Sequence, residues 1–150
     1  MYRGANKVTL DDKGRLAVPA RYREQLSNEC DNHLVVSIDR DYCLMVYPLP
    51  AWESLETKLM QLPSLNRQAR RLQRLMLGYA TDVEIDSHGR ILVSQELREF
   101  ASIERKAILI GQGHRFELWD EARWADRRDE WLSASNGEGD LPTELESLSF

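Results

Sequence analysis

Hydrophobic and polar positions change period several times along the chain, and each change marks an element. Val8 and Leu10 alternate with Thr9, and Leu16 and Val18 flank Ala17, the twofold period of half-buried strands. Between these runs, Asp11 can accept backbone hydrogen bonds at a turn entrance, and Gly14 is free to take positive φ. Together they predict a short hairpin closed by a type I turn and a glycine bulge. Pro19 suits a first helical position and predicts a short helix over 20–27. Leu34 to Ile38 and Cys43 to Tyr47 are β-rich runs, after which Trp52, Leu55, Leu59 and Leu62 recur at helical spacing.

The same order is then written a second time. Val8 to Val18 aligns with Val83 to Val93 at an offset of 75, with identities at Asp11/Asp86, Gly14/Gly89, Arg15/Arg90 and Val18/Val93. That offset also pairs Arg23 and Glu24 with Arg98 and Glu99, and Leu34 and Val35 with Leu109 and Ile110. Ser94 is a candidate cap for a helix over 95–101. Ile108 to Ile110 and Phe116 to Trp119 then repeat the two strands, and Trp124, Trp131 and Leu132 repeat the helix. The chain is therefore expected to be mainly β with helices, an α+β fold. A first copy over 1–62 and a second over 79–133 each run ββαββα, joined by a helix over 63–78. In that helix Leu72, Leu75, Met76 and Tyr79 lie along one side and Gly78 can end it. From Ser133 onward the chain turns polar, acidic and glycine-containing, which predicts a mobile tail over 134–150. Leu141, Leu145 and Leu148 give that tail an apolar stripe for docking on a partner subunit.

Charge alters the picture only when it is located. The 150 residues carry a net charge of −5 with 42% hydrophobic and 30% charged side chains, enough for one ordinary domain or two small ones packed together. Residues 1–23 nevertheless hold six cations, among them Arg3, Lys7, Lys13, Arg15, Arg21 and Arg23, against Asp11 and Asp12. An anion-binding surface near the amino terminus is physically reasonable. Cys30 and Cys43 are too few for a disulfide framework and match no metal-ligand spacing, so a reducing cytoplasm is expected. No secretory h-region and no apolar run of about 18 residues are present, so no membrane partner is expected.

Catalysis finds little support in the sequence. There is no nucleophile elbow, P-loop or zincin motif, and His33, His88 and His114 are dispersed, so no enzyme activity, cofactor, metal or small-molecule substrate is expected. Gly111, Gln112 and Gly113 lack the rest of a dinucleotide fingerprint and read as a β-turn. The informative constellation is an Asp and an Arg four residues apart, present twice. Asp11 with Arg15, and Asp86 with Arg90, could be ion pairs that hold each hairpin neck. Alternatively the arginine could bind guanine or phosphate, since a hairpin is narrow enough to enter the major groove. Arg15, among several cations, is expected to face DNA; Arg90, following Asp82, Glu84 and Asp86, is expected to be mainly structural. Arg67, Arg70, Arg71 and Arg74 on the connecting helix are either a phosphate-contacting face or partners for acids of a neighbouring copy or the tail. The four tryptophans are expected to pack rather than to stack on bases.

Met1 to Gly4, Leu10 to Arg23, Tyr47 to Trp52, Gln73 to Gly78 and Ile85 to Val93 together resemble the MraZ family. The resemblance implies two SpoVT-AbrB-type β modules paired about a pseudo-twofold axis, with chains assembling into a ring-shaped homo-oligomer. It further implies a transcriptional regulator, a repressor, that binds double-stranded DNA at direct repeats in the promoter of the division and cell-wall gene cluster, including its own gene, at the cytoplasmic nucleoid. The family motif falls on Asp11 and Arg15 and, in the second copy, on Asp86 and Arg90; the charge argument adds Lys13, Arg3 and Lys7. The second copy departs at Ser87 and His88, where the first has Asp12 and Lys13, and at Ser94, where the first has Pro19. The competing readings are a structural or protein-interaction ring that binds no DNA, and an enzyme of uncharacterised type.

Overall fold

The computed structural model describes residues 1–134 and Leu148. In the first copy the chain forms β1 (Tyr2–Thr9), β2 (Arg15–Ala17), α1 (Ala20–Cys30), β3 (His33–Ile38), β4 (Leu44–Pro48) and α2 (Leu49–Met60). The connecting helix is α3 (Arg67–Gly78). The second copy follows with β5 (Thr81–Glu84), β6 (Arg90–Leu92), α4 (Gln95–Phe100), β7 (Lys106–Gly113), β8 (Phe116–Asp120) and α5 (Glu121–Ala134). The order ββαββα thus occurs twice, as the repeat predicts, and the fold is α+β. Caps fall near their expected places. Ser94 Oγ accepts the Leu97 amide at 3.3 Å, whereas Pro19 is itself the cap of α1 and the helix begins one residue later. Ser133 and Ala134 complete α5 instead of opening a tail; the rest of the predicted tail, Leu148 apart, lies outside the described residues.

Both turns form, but the hairpins they were expected to close do not. The Gly14 amide donates to the Asp11 carbonyl at 3.0 Å, the Asp11 amide donates to the Arg15 carbonyl at 2.9 Å, and Gly14 has φ +90°, the bulged turn that the sequence implied. Beyond it the strands separate. β1 pairs with β7 of the other copy from Tyr2↔Gly113 to Thr9↔Lys106, and β2 pairs with β6 through Arg15↔Leu92, Leu16↔Ile91 and Ala17↔Arg90. The reason is length: a local hairpin would give the eight-residue β1 only the three-residue β2 as a partner, whereas β7 satisfies its whole ladder.

The result is a six-stranded sheet in the order β1, β7, β8, β4, β3, β5, with the two-stranded β2–β6 ribbon beside it. Each copy supplies three strands of the sheet, and equivalent strands are related by a pseudo-twofold axis between β8 and β4. One sheet face, with Tyr2, Val8, Leu34, Val36, Leu109 and Phe116, is covered by the ribbon residues Leu16 and Ile91 and by α1 and α4 in a single core. The other face carries Val35, Met45 and Tyr47, which pack with Trp52 of α2 and with α3. There the Ser37 hydroxyl donates to the Met76 carbonyl at 2.6 Å and Gln73 Nε2 to the Leu59 carbonyl at 2.7 Å, fixing α3 in place. The tryptophans pack, as expected: Trp119, Trp124 and Trp131 form a trio with centroids 5.8–5.9 Å apart. The Gly111 to Gly113 segment is strand, not turn; a Cβ at Gly111 would stand 2.5 Å from the Arg3 amide nitrogen, so glycine there lets β1 approach.

The exchange is locked where each turn meets the other copy. The Val93 amide donates to the Gly14 carbonyl and the Val18 amide to the Gly89 carbonyl, both at 2.9 Å. Arg23 Nε donates to the Val18 carbonyl while its guanidinium covers Gly89, and Arg98 does the same for Val93 and Gly14. A Cβ at Gly14 would lie 2.6 Å from the rigid Val93 carbonyl, while one at Gly89 meets first the movable Arg23 side chain, and both positions have positive φ. Gly14→Ala is therefore expected to lower unfolding free energy in urea by about 2–3 kcal/mol, and Gly89→Ala by about half as much. Equal, negligible losses would show that the interlock is not what closes the fold.

Candidate nucleic-acid interface

Each bulged turn turns an aspartate toward its own chain. Asp11 Oδ1 accepts the amides of Lys13 at 3.0 Å and Arg15 at 2.9 Å, and its Oδ2 accepts Arg15 Nε at 2.7 Å. Asp86 repeats this, with Oδ1 accepting the amides of His88 at 2.8 Å and Arg90 at 2.9 Å. Its Oδ2 stands 3.5 Å from Arg90 Nε, an ion pair without a hydrogen bond, and that nitrogen is buried with no partner among the described residues. The neck ion pair is thus formed in both copies and is tighter in the first. These donors favour the carboxylate. The Arg15 amide foremost, with the Arg15 side chain and the Lys13 amide, holds Asp11 down to about 2, and the Arg90 amide foremost lowers Asp86.

Register then decides where the arginines go. Leu16 and Ile91 oppose each other and turn into the core, so Arg15, Ala17, Arg90 and Leu92 share the outward face of the β2–β6 ribbon. The two arginine side chains are 34% and 32% exposed, which leaves their terminal nitrogens for an outside acceptor. Lys13 and His88 are exposed at the two turns beside them. One narrow ribbon therefore presents two guanidiniums, that of Arg15 hydrogen-bonded at Nε to Asp11 and that of Arg90 in a looser ion pair with Asp86.

Not all the sequence-predicted cations join this surface. Asp11, Lys13 and Arg15 come together, as do Asp86 and Arg90. Arg3 and Lys7 alternate with the core residues Tyr2 and Val8 along β1, so they project from the sheet face opposite the ribbon. Arg21 lies over the Tyr22 ring beside Gly4, and Arg23 is bound into the interlock. Arg23 and Arg98 are the residues whose role went unread. Their signal was present in the repeat, where they recur at the same offset as Gly14 and Gly89.

The family model described as MraZ protein matches this chain twice, over residues 1–75 and 76–141. The chain is a member of the MraZ family. It is 50% identical over 152 residues to a protein named Transcriptional regulator MraZ from Methylococcus capsulatus, covering 100% of both chains. It is 48% identical over 150 residues to the protein of that name from Thioalkalivibrio sulfidiphilus, again over 100% of both. With the one from Pseudomonas aeruginosa it shares 50% over 149 residues and 99% of each chain. The boundary between the MraZ repeats falls within α3, so each family match contains one Asp-Arg turn and one strand of the ribbon. Among the described residues no helix is long and apolar enough to cross a membrane.

The turn chemistry gives a measurable pH dependence. Because the folded protein lowers the Asp11 pKa below its ordinary value near 4, the stability it contributes is complete above that value and is lost as pH falls toward 2. Carbon-detected NMR should find the Asp11 carboxyl midpoint near 2 and that of Asp86 below the usual range. Asp11→Asn should flatten the stability profile between those limits. An ordinary midpoint for Asp11 would mean that the clamp does not hold in solution.

Proposed function

We propose that this chain is a sequence-specific transcriptional regulator, a repressor, whose β2–β6 ribbon enters the major groove of double-stranded promoter DNA. The observation that carries this reading is the ribbon's outward face, where Arg15 and Arg90 stand pre-oriented by Asp11 and Asp86. The major groove admits a two-stranded ribbon, and arginine is the commonest reader of guanine there through paired bonds to O6 and N7. Fixing Nε beforehand reduces the side-chain freedom lost on binding. Arg15 carries the larger share, since its clamp is the tighter one and Lys13 adds a cation at the same turn. Arg90 acts more through holding the second turn. Arg3 and Lys7, on the far sheet face, take no part in this groove contact.

The chain is net negative, so general attraction to phosphate is weak and one small ribbon makes few contacts. Affinity must then come from several ribbons at once. The relatives' shared name, Transcriptional regulator MraZ, supports regulation as the activity. In this reading, which the family resemblance supports, a ring of chains sits on direct repeats, upstream of the division and cell-wall cluster and of its own gene, at the cytoplasmic nucleoid.

Replacing Arg15 by Ala should cost about 1–3 kcal/mol per engaged ribbon, roughly tenfold or more in promoter affinity, with an unchanged melting temperature. Arg90→Ala should lose less affinity and more thermal stability. Gel shifts and melting curves decide this: parent-like binding by Arg15→Ala sinks the reading, while an equal loss in both folded variants would make the ribbon a symmetric reader.

Multivalency has its own signature. Light scattering should find an oligomer, and reducing the promoter to a single repeat should weaken binding by roughly a hundredfold through lost avidity. Full affinity for one repeat, or a monomer that binds normally, would contradict the ring.

A further inference from the structure

On the sheet face away from the ribbon, α3 overhangs a groove of about 430 Å³ whose apolar wall includes Met45, Tyr47, Leu55, Leu72 and Met76. Arg40 and Arg115 stand at its rim, beside a single acid, Asp39. A second furrow shares Arg40, Leu72 and Leu75 and continues along α3 past Arg71. Leu75, on the apolar side of α3, is 43% exposed above the groove. Arg67, Arg70, Arg71 and Arg74 are all exposed on this helix, which contains no acid, and no guanidinium of the four has an ion pair among the described residues. A duplex held by the ribbon meets the opposite side of the sheet, so its phosphates are not the partner of these arginines.

We propose that this groove is the seat of the same chain's own acidic carboxyl-terminal segment, with Leu141 and Leu145 in the apolar floor and the segment's carboxylates on the arginines of α3 and the rim. Residues 135–150 carry Glu138, Asp140, Glu144 and Glu146 and no cation, the charge complement of α3. Their leucines recur at 141, 145 and 148, the spacing of helix-in-groove anchors. Leu148, within that stretch, is 54% exposed.

The chain's own geometry favours the same molecule over a neighbour. α5 touches the loop that lines the groove: Arg127 pairs with Asp41 at 3.6 Å, and the Arg123 guanidinium lies 5.7 Å from the Tyr42 ring centre. From Arg127 to Ala134 the helix advances roughly 10 Å at about 1.5 Å per residue. The seven residues to Leu141 can span roughly 23 Å when extended, more than enough to return. Seating the segment would cover both the exposed leucines and the arginine stripe.

Cysteine cross-linking in the full chain tests this, since native Cys30 and Cys43 are buried at 8% and 0% exposure. The double variant Leu75→Cys with Leu145→Cys, under a mild oxidant, should form an intrachain disulfide far faster than Leu92→Cys with Leu145→Cys, whose partner lies on the ribbon. Adding Glu144→Lys and Glu146→Lys should slow it severalfold. Equal rates for the two pairs, or insensitivity to the charge reversal, would overturn the proposal. A predominantly interchain product on a denaturing gel would overturn it too, and assign the groove to a second copy's segment. Melting curves of both cysteine pairs, expected to match, keep a folding defect from mimicking a negative result.

Discussion

Two backbone hydrogen bonds, from the Val93 amide to the Gly14 carbonyl and from the Val18 amide to the Gly89 carbonyl, fix everything else in this fold. They bind each bulged turn to the strand end of the opposite copy, and so commit β2 to β6 and β1 to β7. With that commitment, Leu16 and Ile91 become cross-strand neighbours over a core lined by both copies. Neither copy could close this core alone, because its first strand is separated from its paired second and third sheet strands by strands of the other. Glycine is required at the crossing for two reasons: the turn needs positive φ, and the space a Cβ would take is filled by Arg98 or Arg23.

The interlock also makes the candidate site. Arg15 and Arg90 lie 75 residues apart in the chain but on adjoining strands, where the pleat turns both outward. Asp11 accepts three hydrogen bonds from its own turn and arginine, which sets the Arg15 guanidinium's direction before any ligand arrives, whereas Asp86 accepts two amides and meets Arg90 only as an ion pair. Pre-orientation matters more here than charge. In the proposed contact a chain at −5 offers little general pull on phosphate, so any selectivity would rest on where a few donors point.

What could be read from sequence was what depends on near neighbours. The bulged turns follow from Asp11, Gly14, Asp86 and Gly89, and the helix caps and repeat order follow from local spacing. Strand exchange does not, because a period of two says which face of a strand is buried and nothing of its partner. Thr9 finds Lys106, nearly a hundred residues away. Counting charge along 1–23 merged residues that the fold separates; alternation with Tyr2 and Val8 already placed Arg3 and Lys7 on one face, and only the unknown position of the ribbon hid that this face lies opposite it. Gly111 misled for a related reason, since glycine that admits a neighbouring strand looks in sequence like glycine that makes a turn.

The differences between the copies follow the same constraint. Positions in the crossing are identical or equivalent: Asp11 and Asp86, Gly14 and Gly89, Arg15 and Arg90, Arg23 and Arg98. A change at Gly14, Gly89, Arg23 or Arg98 would disturb the other copy as well as its own. Asp12 and Lys13 become Ser87 and His88 where the side chains are exposed and only backbone atoms bind the aspartate. Pro19 becomes Ser94 where either residue can start a helix, by ring geometry in one case and by a hydroxyl acceptor in the other. The ribbon is therefore close to symmetric in its arginines and asymmetric at its two tips. Any difference in what the two ends of the ribbon contact must arise from Asp12 and Lys13 against Ser87 and His88 and from the 2.7 Å and 3.5 Å clamps, because the other turn positions are the same in both copies.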